Sequence, residues 1–208
     1  MPFERTPDGK ITQIRHGKTP LGGFVQGMSN GTFVGDTCDA DGNSVGYQGQ
    51  GGKWRADLDI SIPSAQPRGI NASGTVVGQF ATDKRHWHGF IFKNGTASVV
   101  DFPGAPSTHL TGINDAGIAA GYWSHGYHER PFSLDTNTNT FTEIDFDRQQ
   151  YGSAFATAIN NNGLITINVG SGRGYVFCPD GTDCPGGQTA EVKTRKTHVG
   201  RFPVYRPR

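Results

Sequence analysis

The chain has 208 residues with a formal net charge of +1, is 34% hydrophobic and 11% aromatic, and carries 31 glycines. The near-neutral balance excludes a general electrostatic drive toward nucleic acid or anionic membrane, and no apolar run approaches the ~18 residues of a membrane-spanning helix. A disordered chain would not hold so many aromatics, while abundant Gly, Asn, Thr and Asp point to short strands joined by tight turns, hence an all-β domain. No basic-then-apolar leader opens the chain, so a secretory signal is expected to be absent from it.

In chain order, residues 2–14 read as two strands, the third and fourth of a unit that begins elsewhere. Unit one, about 24–60, opens on the turn Met28-Ser29-Asn30-Gly31 followed by Thr32-Phe33-Val34. Unit two, about 66–102, repeats this one residue longer, as Ile70-Asn71-Ala72-Ser73-Gly74 before Thr75-Val76-Val77. Unit three, about 109–146, has Ile113-Asn114-Asp115-Ala116-Gly117 before Ile118-Ala119-Ala120. Unit four, about 154–194, has Ile159-Asn160-Asn161-Asn162-Gly163 before Leu164-Ile165-Thr166. A second mark runs in register: Pro2-Phe3, Gly46-Tyr47, Gly89-Phe90, Pro131-Phe132 and Gly174-Tyr175 recur at steps of 44, 43, 42 and 43. Unit three shows the pattern in full. Strands over 109–114, 118–124, 129–134 and 141–146 alternate with short turns, as in an antiparallel meander.

A four-stranded unit of this length matches a propeller blade. Residues 197–208 would supply strands one and two of a fifth blade and residues 2–14 its strands three and four. The expected fold is therefore a single five-bladed β-propeller domain closed by both termini, with an open four-unit solenoid or sandwich as the alternative.

The strings Gly112-Ile113-Asn114-Asp115-Ala116-Gly117, His88-Gly89-Phe90, Asp101-Phe102-Pro103-Gly104-Ala105 and Thr6-Pro7-Asp8-Gly9-Lys10-Ile11-Thr12 resemble the bacterial extracellular HAF-type repeat. The resemblance spans nearly the whole chain. Only unit two keeps the His of the His-Ala-Phe signature, with Gly in place of Ala. The resemblance implies a propeller-like fold and an extracellular setting, and it implies no particular activity.

Of the three cysteines, Cys178 and Cys184 flank the hairpin Pro179-Asp180-Gly181-Thr182-Asp183. A disulfide there is geometrically easy and would fit an extracellular or periplasmic location; two free thiols are the alternative. Cys38 is left over as a buried small hydrophobe or a reactive thiol. Asp39, Asp41 and Asn43 around Gly42 space oxygen ligands as a calcium loop does, but the downstream bidentate Glu is missing and Asp-Gly-Asn is a common hairpin turn. A bound divalent metal is thus possible, and no cofactor is required.

In a propeller, crossovers between blades share one face with the loops between strands two and three. By this parse all seven histidines fall there, together with many cations, among them Arg68, Arg130, Lys196 and Arg201. Such a basic funnel would focus an anionic small molecule or saccharide. Around the axis, Phe24, Gln66, His109, Phe155 and His198 occupy equivalent ring positions. Gln26, Arg68, Thr111, Thr157 and Gly200 form the next ring, two residues on and so on the same strand face. None is a carboxylate, which argues against a paired-carboxylate glycosidase.

The leading expectation is an enzyme performing elimination, isomerisation or hydrolysis. His109 would act as general acid or base with His198, His86 or His125 as partner, and Arg68 would clamp an oxyanion or carboxylate. Gln26, Gln66, Thr111, Phe24, Phe155 and Thr157 would line the substrate site, with Tyr122 and Trp123 as a ring surface for a sugar. A lectin-like glycan-binding module and a purely structural repeat are the alternatives. The chain is expected to be monomeric and to bind neither nucleic acid nor membrane.

Overall fold

Each Asn-Gly mark of the sequence forms a hairpin, and each hairpin joins the first two strands of an antiparallel sheet. The computed structural model describes residues 3–16, 19–20, 23–51, 53–58, 60, 62–83, 86–145, 152–170, 172–179 and 193–205, and among these there is no helix. Phe3–Arg5 (β1) and Ile11–Gln13 (β2) pair as a hairpin, the two strands expected of residues 2–14. Arg15–His16 (β3) and Thr19–Pro20 (β4) lead into unit one: Phe24–Ser29 (β5), Thr32–Cys38 (β6), Ser44–Gln50 (β7) and Lys53–Asp57 (β8). Unit two comprises Gln66–Ile70 (β9), Val76–Ala81 (β10), Trp87–Lys93 (β11) and Thr96–Val100 (β12). Unit three comprises Ser107–Ile113 (β13), Ile118–His125 (β14), His128–Asp135 (β15) and Thr140–Asp145 (β16). Unit four comprises Ala154–Ile159 (β17), Ile165–Val169 (β18) and Arg173–Phe177 (β19), and Lys193–His198 (β20) ends the strand list.

The expected closure of a fifth blade is not what the termini do. β20 pairs antiparallel with β16, the outermost strand of unit three, and makes that sheet five-stranded. The chain then runs on to the outer edge of unit two, where Val99 N–H donates to Pro203 O and Tyr205 N–H to Ala97 O. At the other end, β3 adds in parallel to β8, the outer strand of unit one. β3 and the C-terminal segment therefore cover outer sheet edges, which are rows of unpaired N–H and C=O groups, while β1 and β2 form a separate two-stranded sheet. Among the described residues no strand joins unit four to unit one. The predicted fourth strand of unit four lies outside the described residues except for its last two, Lys193 and Thr194, which belong to β20 on unit three.

The core lies in layers between units, as in other repeat arrays. Val34 of unit one packs with Ile70, Val76, Phe80 and Phe90 of unit two. Val77, Ile91 and Val100 of unit two pack with Leu110, Phe132 and Phe141 of unit three. Ala120 and Ile144 of unit three pack with Ala154, Ile165 and Ile167 of unit four. Fully burying each Phe or Ile side chain contributes roughly 1.5–3 kcal/mol. The aromatic mark now has a physical reason. Tyr47, Phe90 and Phe132 on the third strands of units one to three face Gly35, Gly78 and Gly121 on the second, whereas Tyr175 of unit four faces Ile167. The ring fills the space a side chain would take: a Cβ on Gly78 would lie 2.8 Å from the Phe90 ring.

Inner strands of successive units meet backbone to backbone. A Cβ on Gly27 of β5 would lie 2.8 Å from Gly69 Cα of β9, and one on Gly69 would lie 2.9 Å from Gly112 Cα of β13. Just beyond, the repeated asparagines tie the units together. Asn114 Oδ1 accepts from Ile118 N–H (2.9 Å) and closes its own turn, while Asn114 Nδ2 donates to Asn160 O of unit four (3.3 Å). Asn71 does the same, with Oδ1 accepting from Thr75 N–H (3.0 Å) and Nδ2 donating to Asn114 O (3.1 Å). Asp115 adds a second rung, taking Ala72 N–H and Asn161 Nδ2, each at 2.7 Å.

Candidate functional site

At the opposite end of the inner strands, every unit carries a β-bulge at the same place. The register of β5 on β6 shifts between Val25 and Gly27, so Gln26 is the extra residue. The same shift leaves Arg68 unpaired in β9, Thr111 in β13 and Thr157 in β17. These are four of the five members of the second ring read from the sequence; the fifth, Gly200, lies in the tail beyond β20 and carries no bulge. A bulge re-aims its side chain and often does so beside functional sites. In units three and four the bulged side chain is spent locally: Thr111 Oγ1 donates to Ala120 O and Thr157 Oγ1 to Thr166 O, each at 3.2 Å. In units one and two the bulge instead presents a long polar side chain.

Arg68 is half-buried at the centre of a polar cluster spanning three units. Its Nη2 donates to Gln66 Oε1 (2.8 Å), which also accepts from Gln79 Nε2 (3.0 Å), and Gln66 Nε2 reaches Ser44 Oγ (3.3 Å). The rest of the guanidinium has no hydrogen-bond partner among the described residues. Because Gln79 spends its NH2 on Gln66, it offers Oε1 to His109 Nδ1 at 2.9 Å. Nδ1 therefore carries the proton and Nε2 holds the lone pair. The imidazole, 7% exposed, stacks on Tyr122 (4.4 Å between centroids) and leans on Trp87 (5.8 Å). Burial, aided by the Arg68 charge, lowers its pKa to about 4, so at neutral pH it is an uncharged ring. The same burial pushes the Tyr122 phenol up. On the unit-one side, burial raises the Asp36 carboxyl while the Arg68 charge opposes the rise, and Gln26 Nε2 approaches Asp36 Oδ1 at 3.5 Å.

The structure brings together Arg68, Gln66, His109 and Tyr122, with Phe155 of unit four 5.8 Å from the Tyr122 ring. It separates the rest. His198 lies in β20, paired with Thr140 on the outer edge of the sheet whose inner edge carries His109. Four strand spacings, about 19 Å, separate them, so the two rings do not share a ligand. The reason is the C-terminal strand's choice of an outer edge. His86 is exposed and bonded to Asp83 (Nδ1 to Oδ2, 2.8 Å), and His125 is exposed at the β14–β15 turn. Trp123 follows Tyr122 on one strand and so points to the other face, where it stacks on Phe102 and donates to Glu143 Oε1 (3.1 Å). The expected shared ring surface of Tyr122 and Trp123 is thus divided by the pleat. Phe24 is 68% exposed.

Other expectations resolve locally. Arg130 is not a funnel cation: it is 1% exposed, with Nη1 donating to Glu129 O and Gly152 O, each at 3.0 Å. Lys196 and Arg201 are exposed along the outer-edge strand and tail. Asp39 Oδ1 accepts from the amides of Asp41 (2.9 Å) and Asn43 (2.8 Å), which lowers its pKa and marks a hairpin turn. Among the described residues no group of three His, Cys, Asp or Glu could hold a metal. Cys178 is disulfide-bonded, and its expected partner Cys184 lies outside the described residues. Cys38 is a free, exposed thiol rather than a buried one.

Sequence reasoning missed two features. Gln79 and Asp36 belong to the cluster because they sit on second strands, opposite the bulges, where no periodic mark flagged them. His88 also forms a relay: its Nδ1 meets Asp101 Oδ1 (2.8 Å) and its Nε2 meets Thr82 Oγ1 (3.3 Å). A carboxylate only accepts, so the Asp101 contact leaves Nε2 to take the Thr82 proton. Comparison of the chain with models of known protein families, with curated proteins and with solved structures finds no match.

Proposed function

We propose that the four-unit array is a ligand-binding module, built of propeller-like blades, that takes an anionic, hydroxylated small molecule such as a uronate at Arg68. The observation that carries the reading is the bulge that turns Arg68 out of the ladder with most of its guanidinium unspent. A carboxylate would pair with it in the two-pronged geometry that guanidinium favours. Gln66, itself held by Gln79, keeps the guanidinium in place. The disulfide at Cys178 supports an oxidising compartment, outside the cytosol.

The binding reading is preferred over the His109-centred enzyme because the imidazole is sealed between aromatic rings and lacks its expected histidine partners. The test is titration with D-glucuronate and D-glucose by calorimetry. Wild type should bind glucuronate over glucose, and Arg68→Met should weaken glucuronate binding at least tenfold with an unchanged melting temperature. Equal affinity of Arg68→Met and wild type for glucuronate would refute the site.

The enzyme reading keeps one independent support, the Thr82–His88–Asp101 relay, which has a hydroxyl, a base and an orienting carboxylate in the order of a nucleophilic triad. Hydrolysis of p-nitrophenyl acetate that disappears in both Thr82→Ala and His88→Ala would favour it. Rates equal to those of the variants would remove it.

A further inference from the structure

We infer that the seam between units one and two holds a second binding site, for a neutral polyhydroxylated ligand of the saccharide class, where the asparagine ladder has a missing rung. Between units two and three, and between three and four, the turn end of the seam is closed. Asn114 O accepts from Gly117 N–H within its turn and from Asn71 Nδ2 across the seam. Asn160 O accepts from Gly163 N–H and from Asn114 Nδ2. Among the described residues Asn71 O accepts from Gly74 N–H alone.

The cause lies in unit one. Its turn is one residue shorter and places Ser29 where the ladder needs Asn. Ser29 pairs directly with Thr32, and Asn30 and Gly31 take the left-handed conformation of a two-residue hairpin (φ +48° and +72°). Among the described residues no side chain from unit one bonds to Asn71 O. In its place there is a cavity of about 300 Å³ between the two turns.

The lining fixes the ligand class. Around the cavity stand Asn30, Gln48, Gln50, Ser29 and Thr32, with Ile70 and the Asn71 backbone on the unit-two side. None is charged, so nothing there favours an ion. Among the described residues no hydrogen bond engages the side-chain amides of Asn30, Gln48 or Gln50. Each primary amide offers two donors and an acceptor, the combination that a sugar's hydroxyls meet pairwise. A ligand hydroxyl would replace the missing amide by donating to Asn71 O. The volume is at the lower end for small-molecule pockets and suits one or two sugar rings.

The site is separate from Arg68, and its test keeps the two apart. The full chain is titrated with cellobiose while side-chain amide signals are followed by ¹⁵N–¹H NMR. The expected result is saturable shifts of the Asn30, Gln48 and Gln50 amides that are unchanged in Arg68→Met. Gln48→Leu and Gln50→Leu should each weaken cellobiose binding at least fivefold. Replacing the three residues 29–31 by the four-residue Asn-Ala-Ser-Gly turn of unit two restores the rung; it should abolish binding and raise the melting temperature. Unshifted amides in wild type up to a 50-fold molar excess of cellobiose over protein would overturn the proposal, as would full binding by the rung-restored chain. If that chain fails to fold, the two Gln variants decide the question.

Discussion

The seam between units two and three and the seam between units one and two use the same apolar packing and the same glycine approach, yet only the first is stitched at both ends. At its turn end Asn71 and Asp115 cross it, and at its bulge end His109 Nδ1 bonds Gln79. Among the described residues the seam between units one and two has only the long Gln66–Ser44 bond at the bulge end, and a cavity at the turn end. The comparison teaches that the repeat's hydrophobic layer and its polar stitching are separable. A unit can keep its place through burial and close backbone contact while losing one residue from its turn. The freed polar capacity then faces solvent or a ligand.

Acid should break the comparison most. His109 has a folded-state pKa of about 4 against an ordinary 6.5, so its contribution is present above pH 6.5 and is lost as pH falls toward 4. The lost stability is about 3 kcal/mol. Asp36, across the other seam, has a raised pKa, so protonation there relieves a buried charge rather than creating one. Urea denaturation at pH 7 and pH 4 should show the loss in wild type and much less of it in His109→Gln. Hydrogen-exchange protection factors, corrected for the slower intrinsic exchange in acid, should fall on acidification in β10 and β13 more than in β5. Parallel pH profiles for wild type and His109→Gln would sink this account.

Removing a ladder residue should come next. Asn114→Ala deletes the bond to Asn160 O and leaves Ile118 N–H without its turn-closing acceptor, for a loss of about 2 kcal/mol. Ser29→Ala, at the equivalent place in the unstitched unit, should change stability by less than about 0.5 kcal/mol. Equal losses in chemical denaturation would mean that the ladder does not distinguish the seams. A smaller loss than that of Asn114→Ala is expected for Asp115→Ala. This carboxylate takes two cross-seam donors, but it is exposed, so the loss should be about 1 kcal/mol. Exchange of the Ala72 amide reads it directly, and unchanged protection there would contradict the rung.

The amino-acid sequence by itself determined the local part of this protein. An Asn four residues ahead of the residue it caps, a Gly able to adopt positive φ before it, and, in units one to three, an aromatic facing a glycine are short-range requirements, so their recurrence marked the units and the hairpins. The alternation within β18, with Ile165, Ile167 and Val169 buried and Thr166 and Asn168 exposed, was legible for the same reason. Only the tertiary structure decided where the chain ends go, because β20 could pair equally as an inner strand or along an exposed outer edge, and its own pattern of Lys, Thr and Arg does not choose. That choice removed His198 from the site. The pleat sent Trp123 away from Tyr122, and the bulges brought Gln79 and Asp36 to Arg68 from strands that carry no periodic mark. Pairing partners and the direction of a bulged side chain are set by contacts between units, and no single unit's sequence encodes them.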